Sequence, residues 1–459
     1  MDVAAGESSV SERIADWIAG LRSSDLPDVV RSACSDTILD TVGLVIAALD
    51  TDYGRAVRRA FPDEGSCTVF GLAEGRAAVA AAVINGTCGH GEDFDNTYEG
   101  CPVHSGVVIV PALTAAGEMF GLSNTQVAKG IAVGTELMCR MGLVAQKAIH
   151  AAGFHPTAIL GAIGAAAGVA AATRQNRRQI ADTLGVAGSM ASGIIEYLAD
   201  GSWTKRMHPG WAAQAGLRAA MMGAAGFSGP RTVLEGTHGL YAAFAPSIEP
   251  FFPPLVQDLG SRWEAARIAF KPYACGTMAQ PYVDCAVRLA ERGVDPRAIE
   301  SIVCEVGEGT VHRLWEPLTN KQSPPTPYAA KFSTPYCVAV GFLRRDAGLA
   351  EFTEEAVRDP EILALARRVA YVIDPANEYP RNYTGHVRAA LWNGDVVEER
   401  QPQMRGGTRQ PLSREDLLRK CSANLGHAGR PHQFADEIAR FAEAVMTTDD
   451  RFDASVVRR

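Results

Sequence analysis

Four short segments set titratable side chains among glycine and proline, the composition of loops that present groups to a cleft. The first, GHGEDFDNTYEGCPVHSG (Gly89 to Gly106), carries Asp93, Asp95, Thr97 and His104. The second, AGFHPT, puts His155 directly before Pro156 and a long apolar run. A histidine in that place lies at a helix N-terminus, where the dipole disfavours protonation and free N–H groups favour a bound carboxylate. The third, GSWTKRMHPG (Gly201 to Gly210), carries Lys205, Arg206 and His208, and the fourth, KPYACGTMAQPYVD, runs from Lys271 to Asp284. Imidazoles, carboxylates and an ammonium are the groups that move protons and hold an anion. Each segment also has a duller reading: a solvated acidic cap, a hydrogen-bonded structural histidine, a surface cation pair.

Other chemistries fit less well. His90, Glu92, Asp93 and His104 are metal-ligand types, but there is no HExxH, no histidine pair at helical spacing and no EF-hand ladder, so no metal is expected. No GxSxG nucleophile turn occurs. The ten cysteines are scattered singly without CxxC pairs, which reads as reduced thiols used as small core residues.

The elements that must position these groups are mostly helical. Ile14, Trp17, Ile18 and Leu21 fall at i, i+3, i+4 and i+7, and alanine-rich apolar runs follow past residue 200. Pro156 to Thr173 is uncharged over nearly a membrane span, but its alanine and glycine content reads as a buried helix whose small residues let neighbours approach. After about residue 268 the pattern changes. Ser301 to Glu308 alternates, and His386 to Arg400 forms two strand-like runs around Asn393-Gly394, a two-residue hairpin signal. Helical periodicity then returns, with Ser413 and Asp416 as an N-cap pair and Phe434, Ile438, Phe441 and Val445 on one face.

At 459 residues the chain is long enough for two cores. The predicted fold is mainly α with an α+β part. A large all-helical domain is formed by both chain ends (1–267 and 405–459), and a smaller α/β unit (268–404) is inserted as a lid. A net charge of −8 argues against nucleic acid or an anionic membrane surface as partner, while leaving room for an anionic small substrate. The N-terminal residues lack a basic stretch leading into an apolar run, which predicts a cytoplasmic protein.

In register along nearly the whole chain, EDFDNT followed by HSG, GFHPTAILGAIGAAAG, TKRMHPGWAAQAGLRAA, KPYACG, AKFSTPYCVA and PLSREDLLRK resemble the MmgE/PrpD family. That family includes 2-methylcitrate dehydratases, cis-aconitate decarboxylases and an iminodisuccinate epimerase. The resemblance implies a homodimer that needs no cofactor and takes a small anionic carboxylic acid. By motif it assigns Asp93, Thr97, His104, His155, Lys205 and Tyr336 to the active site. In this reading Lys205 fixes a substrate carboxylate, His104 and His155 share proton transfer, Asp93 orients a histidine, and Thr97 and Tyr336 donate hydrogen bonds, with His208 and Gln280 as further substrate-binding candidates.

The chain departs from the family pattern at Glu92, Asn96, Ser105 and Gln280. Gln280 stands where relatives often carry a histidine, and an amide moves no protons at neutral pH. The expected activity is therefore a hydro-lyase of the 2-methylcitrate dehydratase type. A decarboxylase or epimerase working through the same carbanion-like species is the alternative, and a non-catalytic dimeric carboxylate-binding protein the further one.

Overall fold

The apolar periodicity near the start forms helix α1 (Val10–Gly20) in the computed structural model, which describes residues 8–458. Ser9 and Glu12 cap it reciprocally, each side chain accepting the other residue's backbone N–H, and Ile14 and Ile18 are buried.

The backbone divides into two compact units. One runs to Gly91, continues over Asp95–Ala269 and resumes at Leu417; the other joins Glu92–Phe94 to Phe270–Asp416. The inserted unit thus ends later than the sequence suggests. Phe270 N–H donates to the Gly406 carbonyl, and Gly406 adopts φ +88° where an added Cβ would lie 1.9 Å from the Phe270 oxygen. That close approach holds the 405–416 stretch with the inserted unit.

The first unit is built on α2 (Asp28–Ala48), α3 (Ala78–His90), α4 (Gly106–Phe120), α5 (Asn124–Ala145), α6 (Pro156–Ala172) and α7 (Thr204–Ala224). Helix α6 is buried at every residue and packs against α4, α5 and α7. Its glycines set one of these approaches: a Cβ on Gly168 would lie 2.6 Å from the Gly130 carbonyl oxygen of α5. The weakly hydrophobic, uncharged run is therefore an internal helix that has no polar face to present. No single helix among the described residues is long and apolar enough to cross a membrane. This unit is not strictly all-helical. Strand β1 (Glu64–Cys67) and the antiparallel pair β2 (Thr97–Tyr98) and β3 (Ile268–Ala269) lie within it, too short to show period-two alternation in the sequence.

The inserted unit carries a four-stranded sheet in the order β5-β4-β6-β7, from β4 (Ile299–Val306), β5 (Val369–Ile373), β6 (Gly385–Leu391) and β7 (Val396–Gln401). Strands β4 and β5 run parallel; the other pairs are antiparallel. Helices α8 (Gln280–Glu291) and α9 (Thr334–Arg344) pack together, and α8 lies against β6 and β7. The β6–β7 hairpin closes with three residues rather than two. Leu391 N–H donates to the Asp395 carbonyl, and Gly394 takes the left-handed position at φ +89° that such a loop requires.

Ser413 and Asp416 exchange backbone and side-chain bonds at the start of α10 (Arg414–His427). Helix α11 (Phe434–Thr447) then packs on α2 and α5 through Phe434, Ile438, Phe441 and Val445, so both chain ends share one core.

Candidate active site

His90 ends α3, and the chain turns through Asp93 in a left-handed conformation (φ +53°) before Asp95. The turn brings Asp95 back onto the histidine: His90 Nδ1 lies 2.9 Å from Asp95 Oδ2. The same oxygen is 3.3 Å from His104 Nδ1. His104 Nδ1 also lies 2.7 Å from the Asn96 carbonyl, and its backbone N–H donates to Thr157 Oγ1 in the first turn of α6. Asn96 holds the loop at its other end, its Oδ1 accepting from Gly106 N–H at the start of α4.

His155 is the residue before α6, with its backbone N–H donated to the Gly193 carbonyl. Its Nδ1 is 3.1 Å from Nδ1 of His208 in α7. The rings of His90 and His155 stack at 5.6 Å, those of His90 and His104 lie 5.0 Å apart, and Tyr197 packs against both His155 and His208. Four imidazoles and one carboxylate thus form a single buried cluster, and each of the five residues is less than a tenth exposed. Lys205, half-buried in the first turn of α7, is close enough that its charge disfavours protonation of His155 and His208.

The hydrogen bonds fix some of the protons. A carbonyl only accepts, so His104 carries its proton on Nδ1 and offers a bare Nε2 when neutral. Burial holds His155 well below the ordinary histidine range, reinforced by His90, Lys205, His208 and His104. Burial, then His90 and Lys205, push His208 down to about 4. Both rings are neutral at pH 7, so in the Nδ1 contact one donates and the other accepts. The donor has a bare Nε2, and the acceptor carries Nε2–H. The cluster therefore holds both a neutral proton acceptor and a neutral donor, the pair that acid/base chemistry needs at neutral pH.

The second unit holds a different arrangement. Lys271 Nζ donates to the Asp93 carbonyl at 2.6 Å and to Asp93 Oδ1 at 3.0 Å, with both side chains buried. Lys331 grips Glu92 in the same way, at 2.8 Å to the carbonyl and 2.6 Å to Oε2. Asp93, expected to orient a histidine, is thus the ion-pair partner of Lys271, and Asp95 is the carboxylate on the imidazoles. Tyr336 is fully buried and donates its hydroxyl proton to the Glu351 carbonyl. Gln280 spends its Nε2 on the carbonyls of Tyr273 and Cys275, while its buried Oε1 has no partner among the described residues.

Of the residues expected at the site, His104, His155, His208 and Lys205 meet in the first unit, with Thr97 buried in β2 two residues after Asp95. The sequence did not show that Asp95 pairs with His90, that Lys271 pairs with Asp93, or that Lys331 pairs with Glu92. His90 and Asp95 had the right types, but only the turn between them shows which acid meets which ring. The lysines had no signal beyond standing in KPYACG and AKFSTPY.

His90, Asp95 and His104 are the one group among the described residues whose ligand atoms, mutually within 4.8 Å, could surround a metal ion.

The MmgE/PrpD N-terminal domain matches residues 12–251, and the MmgE/PrpD C-terminal domain matches residues 273–443. The chain belongs to the MmgE/PrpD family. Within that family it is 26% identical to a cis-aconitate decarboxylase of Aspergillus terreus over 451 residues, covering 92% of this chain and 90% of the relative. It is 25% identical to the cis-aconitate decarboxylase of Mus musculus, covering 98% and 93%, and 26% identical to that of Homo sapiens, covering 98% and 94%. The four-imidazole cluster lies wholly within the matched N-terminal domain.

Proposed function

We propose that this chain is a cofactor-independent lyase that breaks a bond next to a carboxylate of a small di- or tricarboxylic acid. The observation that carries the proposal is the buried cluster of His90, His104, His155 and His208 with Lys205 beside it. A di- or tri-anion has to be drawn out of water, and a half-buried ammonium offsets its charge. Neutral imidazoles then move a proton without first having to lose one.

Decarboxylation is the first reading, supported by the activity named for three relatives that align over nine-tenths or more of their length. The C–CO2 bond would break with its electron pair retained on carbon and spread into the neighbouring unsaturated carboxylate. CO2 would leave, and the carbon would take a proton from an imidazole N–H. Dehydration of the 2-methylcitrate type is the second reading, and one observation favours it. His104 offers a bare nitrogen suited to removing a C–H proton, a base that decarboxylation does not need.

Incubation with cis-aconitate and with 2-methylcitrate in D2O, followed by NMR, separates the readings. The first predicts CO2 release and one deuterium on the product carbon; the second predicts an alkene and water. Lys205→Ala and His155→Ala should each lower turnover by about 100-fold or more. Full turnover in both variants would overturn the role assignment, and no reaction with any small polycarboxylate would leave a binding protein as the better description.

A further inference from the structure

We propose that His90 is a positioning residue that sets the basicity of His104 through the Asp95 carboxylate the two rings share. The inference rests on the acid/base reading of the cluster given above and extends it to a residue that need not touch substrate.

Asp95 Oδ2 takes its short bond from His90 Nδ1, at 2.9 Å, and lies at 3.3 Å from His104 Nδ1. A carboxylate oxygen divided between two N–H groups is a weaker acceptor for each than for one alone. His90 thereby draws off part of the negative charge that would otherwise favour the His104 imidazolium. His90 Nε2 is buried with no hydrogen-bond partner among the described residues, so Nδ1 carries the ring's hydrogen bonding. Leaving a buried polar atom unmet costs roughly 1–3 kcal/mol. Among the described residues, the bond to Asp95 is the hydrogen bond that holds the ring.

Other charges and titratable groups surround the pair. His155 before α6 packs against His104, Tyr197 packs against His208, and Lys205 on α7 acts on both His155 and His208. Asp40 of α2, paired with Lys420 at 2.6 Å, interacts electrostatically with Asp95. His90 Nδ1 holds Asp95 Oδ2 at 2.9 Å and the same oxygen is 3.3 Å from His104 Nδ1, so a change at His90 should read out on His104 through that oxygen.

The test is histidine-selective 15N NMR on the full chain, with His104→Gln and His90→Asn spectra assigning the signals, together with the pH profile of kcat/KM. In the unaltered protein His90 should be the tautomer protonated at Nδ1. His90→Phe, which keeps the ring and removes the donor, should move the His104 titration up by about half a pH unit or more. The low-pH limb of kcat/KM should follow it. His90→Asn, whose amide replaces the lost N–H, should stay close to the unaltered protein. A His104 midpoint unmoved in His90→Phe, or moved equally in both variants, overturns the proposal. Should His90→Phe fail to fold, finding His90 protonated at Nε2 in the unaltered protein overturns it without any variant. The NMR midpoint does not depend on turnover: absence of any lyase activity would defeat the proposed function alone, and an unmoved midpoint in an active enzyme would defeat this inference alone.

Discussion

His155 and His208 show how burial selects a protonation state before any ligand arrives. In the unfolded chain a histidine titrates near 6.5, whereas His208 in the folded protein is pushed down to about 4. Above pH 6.5 the ring is neutral in both states and the stability gained by burying it is fully present. Between 6.5 and 4 the unfolded chain takes the proton first, so stability is lost as pH falls. From pH 7.5 to 5 this one group should remove about 2 kcal/mol. Urea unfolding of the unaltered protein and His208→Gln at the two pH values checks this. The variant should have a flatter dependence, and equal slopes would show that the neutral ring carries no such linkage. Residue types at this scale were legible from sequence, since histidines, acids and a lysine among glycine and proline pointed to acid/base work. Partnerships were not. Asp93 and Asp95 look alike as text, and the left-handed turn at Asp93 decides that the first meets Lys271 and the second meets His90.

Among the elements, the long helices were readable because one physical cause, the 3.6-residue apolar repeat with caps such as Ser9 and Ser413, acts locally. The two-residue strands β2 and β3 were not, because they are fixed by pairing between residues about 170 positions apart in sequence, far outside any local window. Helix α6 permits a sharp test of its small-residue composition. Gly168→Val would drive a side chain into the Gly130 carbonyl and should cost about 3 kcal/mol or more in urea unfolding, or prevent folding. Gly20→Ala is the contrasting change: its Cβ would meet nothing within 4 Å at the end of α1, and stability should hold or rise by up to about 1 kcal/mol. Equal effects of the two would mean that the α5–α6 approach is not set by glycine. Within the inserted unit, Lys271→Met should destabilise by about 3 kcal/mol by leaving the buried Asp93 carboxylate uncompensated. Adding Asp93→Asn should restore part of that loss, and purely additive losses would count against a coupled pair.

For the molecule as a whole, the family resemblance implies a homodimer, and the surface offers a place for one. Trp203, Met207 and Trp211 are spaced four residues apart along the start of α7 and are 47%, 38% and 39% exposed, with Ile194 and Leu198 exposed just upstream. Large apolar side chains repeated along one helix are a candidate surface for a partner. We propose that a second copy of the chain covers it. Lys205 and His208 belong to the same turns of α7, so pairing there would also stiffen the residues proposed to bind substrate. Light scattering at micromolar concentration should give twice the chain mass. Trp211→Glu, which sets a charge in the middle of the stripe, should shift the population towards monomer and lower kcat/KM together with it, because the first turns of α7 lose their support. A monomeric unaltered protein would remove the proposal. A Trp211→Glu protein that stays dimeric would place the interface elsewhere, and one that becomes monomeric at full activity would separate assembly from the site.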